Sequence, residues 1–204
     1  GPAEHDLLTS PQRPIVLIPK NEPEIVAENV APGNHRLGIM LPYTPLHHLL
    51  MDRLSQNSEP AVLVMTSANL SEEPIVIDNE EGRRRLSGIA DYLLLHDRDI
   101  LIRADDSVIT VVDGKTSFLR RSRGYIPRPV TLKEEGEEVL AVGGHLKNTI
   151  CIARDNQAFL SQHIGDLENL EAYRFFTDSI RHLNDILETN PHVVAHDLHP
   201  GYLS

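Results

Sequence analysis

The sequence predicts an α/β chain of two successive units, and three observations carry that prediction. Short β-branched apolar runs recur along the chain, bounded by prolines, glycines and small polar residues. Two of these runs flank Asp113-Gly114 and read as a hairpin. Between residues 167 and 188, Leu170, Tyr173, Phe176, Ile180, Leu183 and Leu187 repeat at near-helical spacing, which predicts a helix packed on a sheet. Residues 133–138 are charged and bear a glycine, so the domain boundary is placed there. Residues 7–132 are thus expected as one domain and 139–204 as the start of a second that is cut short. Residues 1–6 are expected as a disordered lead-in that opens with a Gly1-Pro2 cleavage scar.

Composition narrows the function classes. A chain of 204 residues with 40% hydrophobic content can bury one good core or two small ones. A net charge of -11 argues against broad electrostatic binding to nucleic acid. No window approaches ~18 consecutive apolar residues, and no basic-apolar leader is present, so neither a membrane span nor a signal peptide is expected and the compartment reads as cytoplasmic. The single cysteine, Cys151, excludes an internal disulfide and a cysteine-cage zinc site.

In chain order, residues 13–19 read as an edge or entry strand between prolines, and 21–34 as a short helix or turn with a loop. Residues 37–41 resume strand character. Thr44 and Pro45 then suit the cap and first position of a helix on which Leu46, Leu49, Leu50 and Leu54 share a face. Residues 61–65 read as a buried strand. Ser67 and Asn69 follow at its carboxyl end. There a hydroxyl, a carboxamide and turn amides either hold phosphate or carboxylate oxygens or make an ordinary Asx turn.

The acidic start and basic end of 78–86 predict a solvated helix, and 90–96 a further strand. In the hairpin, Asp105, Asp106 and Ser107 begin one strand while Arg120, Arg121 and Arg123 end the other. Antiparallel pairing makes these ends neighbours, either as a salt-bridge cluster or as an anion site. Residues 139–144 predict a strand entering a glycine turn, and 148–153 a second strand. With Lys147 and Asn148 between them, this is a weak phosphate-loop signal. Asp155-Asn156 reads as a turn. After the long helix, 192–196 is the final strand. His196 and His199 have no third ligand nearby, so no metal site is expected.

Several strings taken together resemble the HypF family of carbamoyltransferases. Among them are Met40-Leu-Pro-Tyr-Thr-Pro-Leu-His-His-Leu-Leu50, Met65-Thr-Ser-Ala-Asn-Leu-Ser71, Leu95-His-Asp-Arg-Asp99, Asp105-Asp-Ser-Val108, Leu119-Arg-Arg-Ser-Arg-Gly-Tyr125 and Ser161-Gln-His-Ile-Gly-Asp-Leu-Glu-Asn169. The resemblance implies the later part of a YrdC-like domain with a twisted mixed sheet. After it would come the opening strands and helix of a TsaD-like domain of the actin/Hsp70 ATPase superfamily. The implied chemistry joins carbamate, released from carbamoyl phosphate, to ATP with Mg2+ as carbamoyl-adenylate. The carbamoyl group then passes to the C-terminal cysteine of a partner, HypE, for the cyanide ligands of nickel–iron hydrogenases.

Carried over by motif, Ser67, Asn69, Ser107, Arg121 and Arg123 match the nucleotide site. Tyr43 and Thr44 match the acyl side of the pocket, and Lys147 with Asn148 match a phosphate loop of the second domain. Glu72 stands where glycine is usual and Thr110 where arginine is common. The acylphosphatase domain, the zinc-finger cysteines, the basic half of the nucleotide site and the metal-binding histidines of the second domain have no match. Little turnover is therefore expected of this stretch alone. The alternatives are a YrdC-like module binding double-stranded RNA, which the acidic charge disfavours, and a threonylcarbamoyl-adenylate synthase.

Overall fold

Eleven helices and strands are laid down in the computed structural model, which describes residues 1–21, 26–57, 60–71 and 73–204. They fall into two units, one made of Gly1–Thr66 with Asp106–Gly124 and the other of Ser67–Asp105 with Tyr125–Ser204.

The first unit holds α1 (Pro2–Thr9), β1 (Ile15–Pro19), β2 (Arg36–Ile39), α2 (Pro45–Ser55), β3 (Val108–Val112) and β4 (Lys115–Arg120). Residues expected as a lead-in without structure therefore open with α1, which lies against β1 and β3. The four strands form one sheet in the order β2-β1-β3-β4, with β1 parallel to β3 and antiparallel to β2. β1 is thus an interior strand and not an edge. The prolines allow this because Pro14 precedes it and Pro19 ends it, so neither missing N–H falls in the middle of a ladder. Val16 and Ile109 are adjacent in the register and wholly buried, and they are the centre of this unit's core. The hairpin forms as expected: Asp113 and Gly114 both take positive φ, at 49° and 73°, which suits the twist of the paired strands β3 and β4. α2 also begins as expected, with the Thr44 hydroxyl accepting the His47 N–H at 3.1 Å. Its leucine face is not buried, since Leu46, Leu49 and Leu50 are exposed.

The second unit holds α3 (Asn79–Leu86), β5 (Val130–Ala141), β6 (Cys151–Leu160), α4 (Leu170–Leu187) and β7 (Val193–Ala195). The sheet order is β6-β5-β7, with β5 antiparallel to β6 and parallel to β7. Residues 133–138, expected as the connector, lie inside β5, where the pairing with β6 is irregular around Gly136. Asp155-Asn156 is not a turn. Asp155 takes φ 52° opposite Gly136 and β6 runs on, so the local cue marks a bulge. Asn169 caps α4 by accepting the Ala172 N–H at 2.8 Å. Phe175, Phe176 and Leu183 on α4 pack with Val142, Ile150, Ile152, Ile164 and Leu167 into one cluster. Leu170 and Tyr173, expected in the same stripe, remain partly exposed at the start of the helix.

Two expected strands do not form. Residues 61–65 and 90–96 carry the right side chains, yet neither is hydrogen-bonded into a sheet, and Val64, Met65, Tyr92 and Leu94 are largely exposed. An apolar run specifies burial, but a strand also needs a neighbour to take its N–H and C=O groups. Part of the 21–34 stretch and Glu72 lie outside the described residues.

Candidate functional site

In the first unit the two hairpin ends meet as their charges require. Asp106 bridges to Arg123, whose Nε donates to the aspartate Oδ1 at 2.6 Å. The same guanidinium donates from Nη1 to the Gln12 carbonyl at 3.0 Å and from Nη2 to the Arg13 carbonyl at 2.8 Å. Its face lies 3.6 Å from the centre of the Tyr43 ring, a cation–π contact. Tyr43 in turn meets the His47 ring edge-on, with centroids 4.7 Å apart and planes at 89°. Burial, followed by the nearby Asp106 carboxylate, pushes the Tyr43 phenol above its ordinary range, and Arg123 opposes that shift.

Ser107 is fully buried beside this cluster. Its hydroxyl donates to the Arg123 carbonyl at 2.9 Å and accepts the Ser122 N–H at 2.8 Å, so it latches the start of β3 to the segment after β4. Arg121 is half-buried on that same segment. Thr110, at the position where arginine is common, accepts a hydrogen bond from Arg36 on β2. Five residues singled out from sequence, Tyr43, Thr44, Ser107, Arg121 and Arg123, therefore belong to one unit; Tyr43, Arg123 and Ser107 are tied together by direct contacts, and Thr44 joins them through His47.

Ser67 and Asn69 belong to the second unit. The Asn69 N–H donates to the Ser67 carbonyl at 3.1 Å, its carboxamide donates to the Leu70 carbonyl at 2.8 Å, and the Val76 N–H returns to the Ala68 carbonyl at 2.9 Å. The corner exposes the Ser67 hydroxyl and is held from behind by Arg85 of α3, which pairs with both Glu73 and Glu81. The charge pattern of 78–86 reads as a solvated face and so misses this clamp, in which Arg85 is mostly buried. Beside α3, a hollow of about 280 Å³ is lined by Asp78, Asn79, His96, Arg98 and Asp99.

The glycine turn of the second unit is tightly built. Gly143 takes φ 72°, and a Cβ there would lie 2.5 Å from the Thr149 carbonyl oxygen. Asn148 is buried, and its carboxamide donates to the Val142 and Gly144 carbonyls at 2.8 and 2.6 Å. Lys147 also takes positive φ, with its N–H donated to the Asp166 carboxylate at 2.6 Å and its side chain exposed. Lys147 can thus reach a ligand, whereas Asn148 pins the turn. Among the described residues no group of three or more His, Cys, Asp or Glu is placed to hold a metal ion, and no helix is long and apolar enough to cross a membrane.

Comparison with known proteins matches two families in succession along the chain. The family model of Sua5, YciO and YrdC, described as telomere recombination, matches residues 2–122, and the model of the HypF Kae1-like domain matches residues 134–204. Carbamoyltransferase HypF of Rhizobium leguminosarum is 52% identical over 99% of the chain, and that of Synechocystis sp. is 49% identical over 98%. The probable carbamoyltransferase HypF of Methanocaldococcus jannaschii is 38% identical over 98%. The chain spans only about a quarter of these relatives, 27%, 26% and 26% of their lengths. A crystal structure of full-length HypF in the phosphate- and nucleotide-bound form superposes with TM-score 0.90 at 45% identity, covering 100% of this chain and 31% of that one. T. kodakarensis HypF superposes with TM-score 0.91 at 44% identity, covering 99% and 26%.

Proposed function

Because the chain belongs to the Sua5/YciO/YrdC family and continues into a HypF Kae1-like domain, we propose that it is part of a HypF-type carbamoyltransferase. The reaction we assign to it uses ATP, as its Mg2+ complex, and carbamoyl phosphate to form carbamoyl-adenylate, and then moves the carbamoyl group to the C-terminal cysteine of HypE in the cytoplasm. The observation that supports this reading most strongly is the succession of the two family matches along this chain, beside its 52% identity to a protein named carbamoyltransferase HypF.

The chemistry sets clear demands. Hydrolysis of carbamoyl phosphate first yields carbamate and inorganic phosphate; a carbamate oxygen then attacks the α-phosphorus of ATP, the new O–P bond forms as the bond to the β-phosphate oxygen breaks, and pyrophosphate leaves with the electron pair. Negative charge grows on the α-phosphate and on the leaving group, so fixed donors are needed at both. Arg121 supplies a planar fork suited to phosphate oxygens, while Ser67 and Asn69 supply a hydroxyl and a carboxamide. Ser107 keeps the segment that carries Arg121 in register with β3. Tyr43 and Thr44 are assigned to the acyl side. In the second step the HypE thiolate attacks the carbamoyl carbon and AMP departs; we place Lys147 of the glycine turn near the phosphate in that domain.

The test is ATP/pyrophosphate exchange dependent on carbamoyl phosphate, measured on the intact protein. Exchange is expected in the parent, with a loss of about 100-fold in Arg121→Ala and a smaller loss in Ser67→Ala. Unaltered exchange in both variants would remove these residues from the mechanism.

A further inference from the structure

We propose that Arg123 is a positioning residue, which fixes the ring of Tyr43 on the acyl side of the reaction and does not itself hold the nucleotide. What Tyr43 faces rests on the carbamoyl-adenylation reading; the contact between the two side chains does not.

The geometry of the guanidinium carries the argument. An arginine offers five N–H donors in a rigid plane and two faces. Here Nε is held by Asp106 at 2.6 Å, Nη1 by the Gln12 carbonyl at 3.0 Å and Nη2 by the Arg13 carbonyl at 2.8 Å, with the Met40 sulfur 4.0 Å from Nη2. One face lies on Tyr43 at 3.6 Å. A phosphate binding there would have to displace protein partners on three of its edges.

The backbone is built to keep the group in place. Gly124, the next residue, takes φ 86°, and a Cβ there would come within 2.9 to 3.0 Å of Gln12 atoms, so only glycine lets this segment close on the Gln12 backbone. Arg13 takes φ 45°, and its carbonyl is one of the two that Arg123 holds. The Arg123 carbonyl is itself bound by the buried Ser107 hydroxyl.

Tyr43 also meets His47 edge-on, and the His47 N–H completes the Thr44 cap of α2. Arg123 therefore sets the ring against the start of α2, and the phosphate is assigned to Arg121, two residues earlier, on the carbamoyl-adenylation reading. A lysine at 123 keeps the charge but has neither the fork nor the flat face.

The experiment compares Arg123→Lys, Arg121→Lys and the parent intact protein in ATP/pyrophosphate exchange, varying ATP and carbamoyl phosphate separately. Arg123→Lys is expected to raise the KM for carbamoyl phosphate by about tenfold and to leave the KM for ATP within about twofold, whereas Arg121→Lys does the reverse. A rise in the ATP KM of Arg123→Lys equal to that of Arg121→Lys would overturn the inference. A readout independent of activity is the double-mutant cycle of Arg123→Met with Tyr43→Leu, followed by thermal unfolding. The expected loss of Tm in the double variant is smaller than the sum of the single losses, and strict additivity would refute the contact. If the parent shows no exchange dependent on carbamoyl phosphate, the functional reading fails and the cycle alone decides whether Arg123 positions Tyr43.

Discussion

Replacing Ser107 by alanine separates a structural latch from a ligand. The hydroxyl is fully buried and serves two backbone groups, the buried Ser122 N–H at 2.8 Å and the part-buried Arg123 carbonyl at 2.9 Å. Alanine satisfies neither; a buried group left without a partner costs about 1–3 kcal/mol, and the part-buried carbonyl costs less. The expected loss is therefore about 2–4 kcal/mol, since some relaxation of the hairpin end recovers part of the cost. With a urea dependence of about 1–3 kcal/mol per molar, the unfolding midpoint should fall by roughly 1–2 M. Ser122→Ala is the matched control, because the Ser122 hydroxyl is buried and makes no hydrogen bond among the described residues. Its removal is expected to leave stability within about 1 kcal/mol of the parent or to raise it. Equal losses in the two variants, or a Ser107→Ala midpoint within about 0.3 M of the parent, would refute the latch.

Further outcomes follow from single positions. Gly143→Ala forces an L-residue into φ 72° with its Cβ against the Thr149 carbonyl, so it should destabilise the second unit by about 2 kcal/mol or more, read as a lowered Tm. Tyr43 has its phenol raised by burial, so the folded state holds that proton more tightly than the unfolded chain does. Its contribution is fully present below the ordinary tyrosine value of about 10 and is lost as pH rises through the higher folded value. Unfolding of Tyr43→Phe should consequently depend less on pH above about 10 than unfolding of the parent does.

The elements legible in the sequence are those fixed by local chemistry. Asp113-Gly114 supplies the two positive φ values a tight hairpin needs, Thr44 and Asn169 cap their helices, and Phe176, Ile180 and Leu183 lie three or four residues apart on one face of α4. Residues 61–65 and 90–96 carry the side chains of strands, and the sheet offers them no partner among the described residues. The Asp106–Arg123 pair was legible because a hairpin makes those ends neighbours. The contacts of Arg123 with Gln12 and Arg13 span 111 and 110 residues, a separation over which local pattern carries no information. For the same reason nothing in the local pattern points to the backbone carbonyls that hold the Arg123 guanidinium.

The most direct measurement is mass spectrometry of the nucleotide products that the intact protein forms from ATP. With carbamoyl phosphate present the account predicts carbamoyl-adenylate and pyrophosphate, and no threonylcarbamoyl-adenylate when threonine and bicarbonate are offered instead. Formation of the threonyl product, or ATP left unchanged in the presence of carbamoyl phosphate, would contradict it.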